Sequence, residues 1–456
     1  MNYTILYGEI IKVLNKDSPR QYGYNSEMAA NIQLWSKMYE NKSPWLSKTV
    51  ASANLPVQIA YETAKLVTLE LRSEIKGGEV AKYINEFYQR DVLKKLRKFT
   101  EYGLAKGSLI IKPIADKTGI RTQFIQADCF FPISFDGSGN LTKCVLADQI
   151  RKGRSIYTLL EIHTLNGTTY TIENRLFKSE NDGLLGSETS LSEIEAFAEL
   201  PANFKAVNVK KIPLGFFRCP MANQISSTSP LGVSVYSRAV DLIKEADRRY
   251  SNICWEYEAT ETAVHVAESM LDYDKENDRF NYPGGKDRLY RKVQYSTGAA
   301  DKPLIDVFSP QIRSTELFDG WNNQLRMIEF ACSLAYSTLS DPQNVDKTAE
   351  EIKSSKQRSY TFISDTQSAL QTALEEWIDA AWFWTQIYHL VPNSKYKTDF
   401  DWGDSIISDP DEKRKQDMQD VSLGAMPIWE YRMKWYNEDE KTAKEMTYDS
   451  TAEVIE

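Results

Sequence analysis

The sequence predicts an α+β chain that is mainly helical, and three patterns carry that prediction. Apolar residues recur at helical spacing through several long segments, the period changes to two from Ser108, and Gly-containing turns such as Asn166-Gly167 separate the alternating runs. At 456 residues the chain has material for two to four domains rather than one simple core.

Residues 1–100 read as mainly helical. "SEMAANIQLWSKMYEN" opens on a Ser, a second helix follows Pro56, and "EVAKYINEFYQRDVLKKLRKFTEYGLAKG" is a third, closed by Gly103 or Gly107. "SLIIKPI", "TQFIQADCFFPISF", "KCVLADQIR", "SIYTLLEIHTL" and "TTYTIENRLF" read as strands, with turns at 136–140, 152–153 and 166–167. A loop-rich stretch, 179–211, holds a short helix near "SLSEIEAFAEL", and "KKIPLGFFRCP" closes the α+β unit. A long helix is predicted from about Val233 to Glu268, with Tyr236, Ala239, Ile243, Ala246, Tyr250, Ile253 and Tyr257 alternating at three and four residues. That is a narrow seam, as in helices packed side by side. Residues 270–310 hold turns and short strands. A return helix from about Ser314 to Leu339 carries Leu317, Trp321, Leu325, Ile328, Cys332 and Ala335 on one face. After Ser340-Asp341-Pro342 a polar loop leads into a helix from Thr348 to about Leu390, roughly 60 Å long at about 1.5 Å per residue. Its first half is polar; the second, "ALQTALEEWIDAAWFWTQIYHL", should be buried. A helix, a turn at Gly424 and a helix after Pro427 end the chain.

Bulk properties narrow the function classes. Hydrophobic residues are 42% and charged residues 26%, an ordinary globular composition. The formal charge of −9 argues against a protein that grips nucleic acid over its whole surface. Five dispersed Cys and three distant His make a Cys/His zinc site an unsupported reading and fit a reducing cytosol. No basic region precedes an apolar stretch at the N-terminus, and "AAWFWTQIYHLV" falls short of the roughly 20 residues a membrane span needs, so no membrane role is expected. No phosphate-binding Gly loop and no nucleophile elbow occurs. Asp399, Asp401 and Asp404 are the only cluster that invites a metal-dependent DNA chemistry; with no His or Lys placed as base, a capping or turn role is preferred. No enzyme activity, metal or cofactor is expected.

The order of parts resembles the portal proteins of tailed bacteriophages, of the type found in phages of Gram-positive bacteria. "SPLGVSVYSRAVDLIKEADRRYSNICWEYEAT", "TAEEIKSSKQRSYTFISDTQSALQTALEEWI" and "GAMPIWEYRMKWYNEDE" carry the resemblance, with "ADCFFPISFDGSGN" and "KIPLGFFRCPMAN" in support. It implies a wing at 1–232, β-rich from about 108; a stem helix at 233–269; a clip at 270–312; a return stem helix at 313–340; a tunnel loop at 341–347; a long spine helix of the wing at 348–392; and a crown at 393–456. It further implies a homo-oligomeric ring, usually a dodecamer, at one vertex of the phage capsid. Double-stranded DNA would pass through it, and the terminase large subunit, the major capsid and scaffolding proteins and a head–tail adaptor would be its partners, in a virion assembled in the host cytoplasm.

Under that resemblance the seam from Tyr236 to Tyr257 is expected to pack one subunit against the next, where the residues alone equally allow a helix packed inside one subunit. The stem is slightly acidic, four basic residues against six acidic from Tyr236 to Thr262, which suits a conduit that lets DNA slide rather than a clamp. Gln343, Asn344, Lys347, Lys353 and Lys356 are the candidate DNA-channel residues, touching phosphate without reading bases. The competing reading is a solvated helix N-terminus capped by Asp346, with Glu350 and Glu351 in its first turn. Residues 274–292 hold six basic residues against four acidic, and Lys286, Arg288, Tyr290, Arg291 and Lys292 form the candidate clip docking surface; an ordinary charged hairpin is the alternative. A head-morphogenesis or scaffold protein without a channel remains the other functional reading.

Overall fold

Six apolar side chains in one stripe start the fold: Tyr3, Leu6, Tyr7, Ile10, Ile11 and Leu14 all lie on the inner face of α1 (Tyr3–Lys16). The computed structural model describes residues 2–16, 21–23, 25–116, 119–276, 279–281, 289–293, 305–341, 349–403, 410–436 and 438–449. Tyr3 donates to Phe130 O at 2.9 Å and Tyr7 to Pro132 O, fixing α1 on the strand that carries them. In α2 (Ser26–Tyr39) the cap is Asn25 rather than Ser26, its Oδ1 accepting from Met28 N at 3.0 Å. Helix α3 (Leu55–Thr68) has Pro56 in its first turn. A strand that the sequence did not predict follows, β1 (Arg72–Gly77).

The single helix expected over 79–107 is α4 (Glu79–Phe87), a π-helical turn at Tyr88–Leu93, and α5 (Lys94–Lys106). Tyr88 in that turn is fully buried, donates to Ser73 Oγ at 3.0 Å and lies 5.7 Å from the Trp377 ring. Gly107 closes α5 at φ +89°, where a Cβ would lie 2.7 Å from Gly232 O, so only glycine fits.

The β-rich part is antiparallel throughout. Strands β2 (Ser108–Asp116) and β3 (Gly119–Gln126) form one sheet. Then come β4 (Phe130–Phe135), β5 (Leu141–Lys152), β6 (Ser155–Asn166), β7 (Thr169–Ser179) and β8 (Ser187–Thr189), paired in sequence order, with β9 (Asn203–Ala206) also on β7. Strand β10 (Gly215–Arg218) joins β2 on the first sheet. The short helix expected near 190–200 is two 3-10 turns, Leu191–Glu193 and Glu195–Phe197.

The long stem helix is shorter than expected at both ends: α6 runs Val240–Ala259 after a 3-10 turn at Ser237–Ala239. Val233 and Val235 are buried outside any helix, Val235 in a turn closed by Ser237 N to Ser234 O at 2.8 Å, and the Val235 N–H is taken by Leu104 O at 2.9 Å. Beyond Ala259, Thr260, Thr262, Val264 and Val266 alternate as β-branched residues and favour strand over helix. The small β module therefore begins at β11 (Ala263–Ala267), not at 270. It continues through β12 (Asp272–Asp274), β13 (Arg279–Asn281), β14 (Tyr290–Val293) and β15 (Ile305–Phe308), with β11 parallel to β14 and antiparallel to β15. Helix α7 (Ser314–Ala331) ends eight residues before Leu339, its expected limit.

Helix α8 (Ala349–Ile387) spans 39 residues, and Leu370, Ala373, Leu374, Trp377, Ile378 and Ala381 in its second half are buried in the main core. Strand β16 (Tyr396–Asp401) returns to pair with β1, Arg72 opposite Asp401 and Gly77 opposite Tyr396. Helices α9 (Pro410–Ser422), α10 (Ile428–Tyr436) and α11 (Glu440–Asp449) pack on one another; Trp435 Nε1 donates to Asp417 at 2.7 Å. Among the described residues no helix is long and apolar enough to cross a membrane.

Candidate functional site

The helix pair α6–α7 is held by apolar and polar contacts in the same face. Ile243, Ala246, Leu325 and Ile328 are buried together in the main core. Tyr250 packs on Trp321 with ring centroids 6.0 Å apart, Gln324 Nε2 donates to Leu242 O at 3.0 Å, and Arg249 donates to Gly320 O at 3.1 Å. At the far end Arg313 grips both oxygens of Glu256, at 3.0 and 2.7 Å. Toward the segment between α2 and α3, Asp247 is buried and accepts from Trp45 Nε1 and from Ala53 N, each at 2.8 Å. Burial pushes the Asp247 carboxyl above its ordinary range even though these two donors pull it down.

This geometry corrects the expected subunit seam. Tyr236, Ala239, Ile243 and Ala246 are fully buried within the chain, and Tyr236 donates to Trp35 O at 2.9 Å. Such residues cannot touch another copy. Tyr250 is half-buried on Trp321, Ile253 is buried, and Tyr257 alone of the seven is open to water. The seam period reports the contact with α7, as it would in any helical hairpin. The apolar side chains left in water lie on other faces: Trp255 on α6 at 66% exposure, and Phe318, Met327 and Phe330 on α7. In the β module every residue of β15 is exposed, including Ile305, Val307 and Phe308.

The root of the loop that follows α7 is built around Glu329, a fully buried carboxylate. It accepts from Leu339 N at 2.6 Å, Ser340 N at 2.9 Å, Ser340 Oγ at 2.9 Å and Ser337 N at 3.4 Å. Two turns earlier Asn322 Oδ1 accepts from Asp341 N at 2.8 Å. From α8, Arg358 lies over the rings of Phe330 and Tyr336, 4.8 and 5.1 Å from their centroids. The sequence did carry a signal for Glu329: an acid four residues after Leu325, on the core-facing stripe of an otherwise apolar run. Gln343, Asn344 and Lys347 lie outside the described residues, as do the side chains of Lys353 and Lys356.

Of the docking candidates, Lys286 and Arg288 lie outside the described residues. The other three share β14: Tyr290 is half-buried, Arg291 is exposed, and Lys292 sits 4.1 Å from the Phe280 ring and 3.6 Å from Glu268. The Asp cluster does not converge. Asp399 pairs with Lys76 at 2.7 Å across the β1–β16 ladder, Asp401 Oδ1 accepts from Gly403 N at 3.0 Å in a turn, and Asp404 lies outside the described residues. Among the described residues no three His, Cys, Asp or Glu side chains meet as a metal site.

A buried charge group that the sequence did not single out sits between β2, β6 and β7, at a small cavity of about 100 Å³. Lys112 on β2 pairs with Glu161 on β6; His163 Nε2 lies 2.9 Å from Glu161, and its Nδ1 lies 2.6 Å from the Tyr170 hydroxyl. Burial pulls the Glu161 carboxyl up, but Lys112 and His163 more than reverse this and hold it below the usual carboxylate range. Both charges have close partners, which is what a buried ion pair requires to persist.

A family model described as phage portal protein, SPP1 Gp6-like, matches residues 26–448. The chain also aligns with a solved structure of the neck of a native GTA particle, computed with C12 symmetry, at 10% identity and a TM-score of 0.42, covering 94% of this chain and 98% of that one. No curated protein matches the chain by sequence.

Proposed function

The chain belongs to the phage portal protein family of the SPP1 Gp6-like type, and from that premise we propose that it is one subunit of a ring that forms the DNA channel at a single capsid vertex. In this reading twelve copies close around the bore, α6 and α7 form its wall, and the loop over 341–347 reaches inward. The β module between the two helices is the docking surface for the terminase large subunit and later for a head–tail adaptor. The wing meets the major capsid and scaffolding proteins. The role is structural; the work of DNA translocation comes from the docked motor.

The observation that carries the ring is the apolar surface left open on the stem and the β module. Trp255 and Phe330 are 66% and 61% exposed, with Phe318, Met327, Ile305, Val307 and Phe308 also in water. Soluble monomers keep such surface small, and larger runs mark sites of association. A contact between unlike faces of identical copies, repeated by a fixed rotation, closes into a ring. The overall charge of −9 per copy suits a bore that DNA slides past, because an acidic wall does not hold phosphates.

Mass measurement combined with negative-stain imaging of the purified protein tests the proposal. A stable annulus with an open centre is expected. A monomer under all conditions, or a circular assembly with a filled centre, overturns it.

A further inference from the structure

The helical period of α7 does not end where the helix ends. Leu325, Ile328, Cys332, Ala335 and Leu339 continue the alternation of three and four residues, yet the chain leaves the helix at Ala331. Between Cys332 and Asp341 it instead takes a compact turn in which Ser333 and Ser337 adopt left-handed backbone, at φ +57° and +71°. Neither residue is a glycine or an asparagine, the types that tolerate this region best. The segment is therefore held in a shape that its own sequence disfavours, and the holding group is visible. Glu329 gathers three backbone N–H groups and the Ser340 hydroxyl.

We propose that residues 332–341 form a two-state clasp, kept shut by Glu329, and that its release lets α7 lengthen through Leu339. The apolar balance favours the shut form, which buries Leu334 and already packs Leu339 against the core; the lengthened helix would keep Leu339 on the core stripe and move Leu334 off it. The amides that Glu329 now serves would find carbonyl partners four residues back along the helix. The released carboxylate also has a waiting partner. Arg326 lies one turn earlier on α7, and its Nε is buried with no hydrogen-bond partner among the described residues. Arg358, over Phe330 and Tyr336, grips the same segment from α8 and would lose Tyr336 on opening.

Opening displaces whatever follows Asp341. Eight added residues carry the helix end forward by about 12 Å at 1.5 Å per residue. Only the consequence for a channel rests on the portal reading; the clasp itself is a property of one chain. Glu329 is in this sense a positioning residue for the segment entering the loop.

The test is a distance. Nitroxides on p-acetylphenylalanine at positions 319 and 341 leave the native cysteines untouched, and dilution with unlabelled chain restricts the signal to pairs within one chain. In the shut form Asp341 N bonds Asn322, so the labels lie within about 20 Å; in a helix through Leu339, the 20 residues from 319 to 339 alone span about 30 Å. Glu329→Ala is expected to turn the long distance from a minor into the major population. Two backbone variants decide the matter independently. Ser333→Ala with Ser337→Ala penalises the left-handed turn and favours helix, so it should also lengthen the distance. Ser333→Gly with Ser337→Gly removes the same hydroxyls but relieves the turn and disfavours helix, so it should stay short. The proposal fails if the Ala and Gly pairs behave alike, or if Glu329→Ala folds and keeps the short distance. It also fails if opening gives a broad distribution with fast amide exchange over 333–341, which would be fraying rather than lengthening.

Discussion

Replacing Trp255 with Ala should weaken the ring without disturbing the subunit. A Trp side chain offers up to about 250 Å² of buriable surface. At 66% exposure Trp255 leaves about 160 Å² of that in water. If a neighbouring copy covers most of it, some 120 Å² at about 25 cal/mol per Å² contributes about 3 kcal/mol per contact. That is a change of about two orders of magnitude in the constant for each subunit contact. Sedimentation velocity across a concentration series, with native mass spectrometry at the same points, reads the concentration at which rings give way to smaller species. The midpoint should rise about 100-fold in the variant, while the melting curve of the dissociated chain barely moves, because an exposed side chain contributes within about 0.5 kcal/mol to the fold. A midpoint within about threefold of the parent would show that this face of α6 meets solvent and not a neighbour, and the argument from open apolar surface would fall with it.

Three further outcomes are expected. Glu161→Gln breaks a buried pair and should cost about 3–5 kcal/mol at neutral pH, seen as an earlier melt. Since the Glu161 pKa is lowered in the folded state, its stabilisation is present above 4.5, the ordinary value, and lost as the pH falls; the parent should therefore weaken in acid where the variant shows a flatter profile. Asp247→Ala leaves Trp45 Nε1 and Ala53 N without their acceptor, at about 1–3 kcal/mol for each orphaned donor, and hydrogen exchange should quicken over residues 45–54 while α8 is unaffected. Deleting Gln343 to Asp346 should leave ring assembly intact but impair DNA filling or retention in an assembly system; full heads at normal yield would remove the loop from any role in transport.

The fold was legible wherever the signal was local. The alternation over 108–177 and its Gly turns became β2 to β7, and the uninterrupted apolar face of 369–381 became the buried half of α8. Helix limits were less legible. Both α6 and α7 were read too long: the first was started at Val233 although Leu104 O claims the Val235 N–H, and in the second a three-and-four repeat persists through Leu339 although Glu329 claims that backbone. The β1–β16 pair left no trace, since "RSEIKG" and "YKTDFD" are short, charged and far apart, and register between distant strands has no sequence period of its own. The stem seam illustrates a different limit. Periodicity finds the face with the strongest repeat, which here is the contact with α7; the second apolar face, marked by Trp255, carries no repeat and was passed over. Glu329 was visible as an acid on a core stripe, but only the turn it serves shows its use.

The β1–β16 ladder also bears on how the molecule is made. Lys76 meets Asp399, 323 positions further along the chain. At about 5–20 residues per second on the ribosome, β1 waits about 15–65 s for its partner to emerge. Until then the first strand has an unpaired edge, and a chain that stops short never acquires the second. The ladder therefore closes only on a chain that extends through β16; one that stops before Tyr396 leaves β1 without its partner strand.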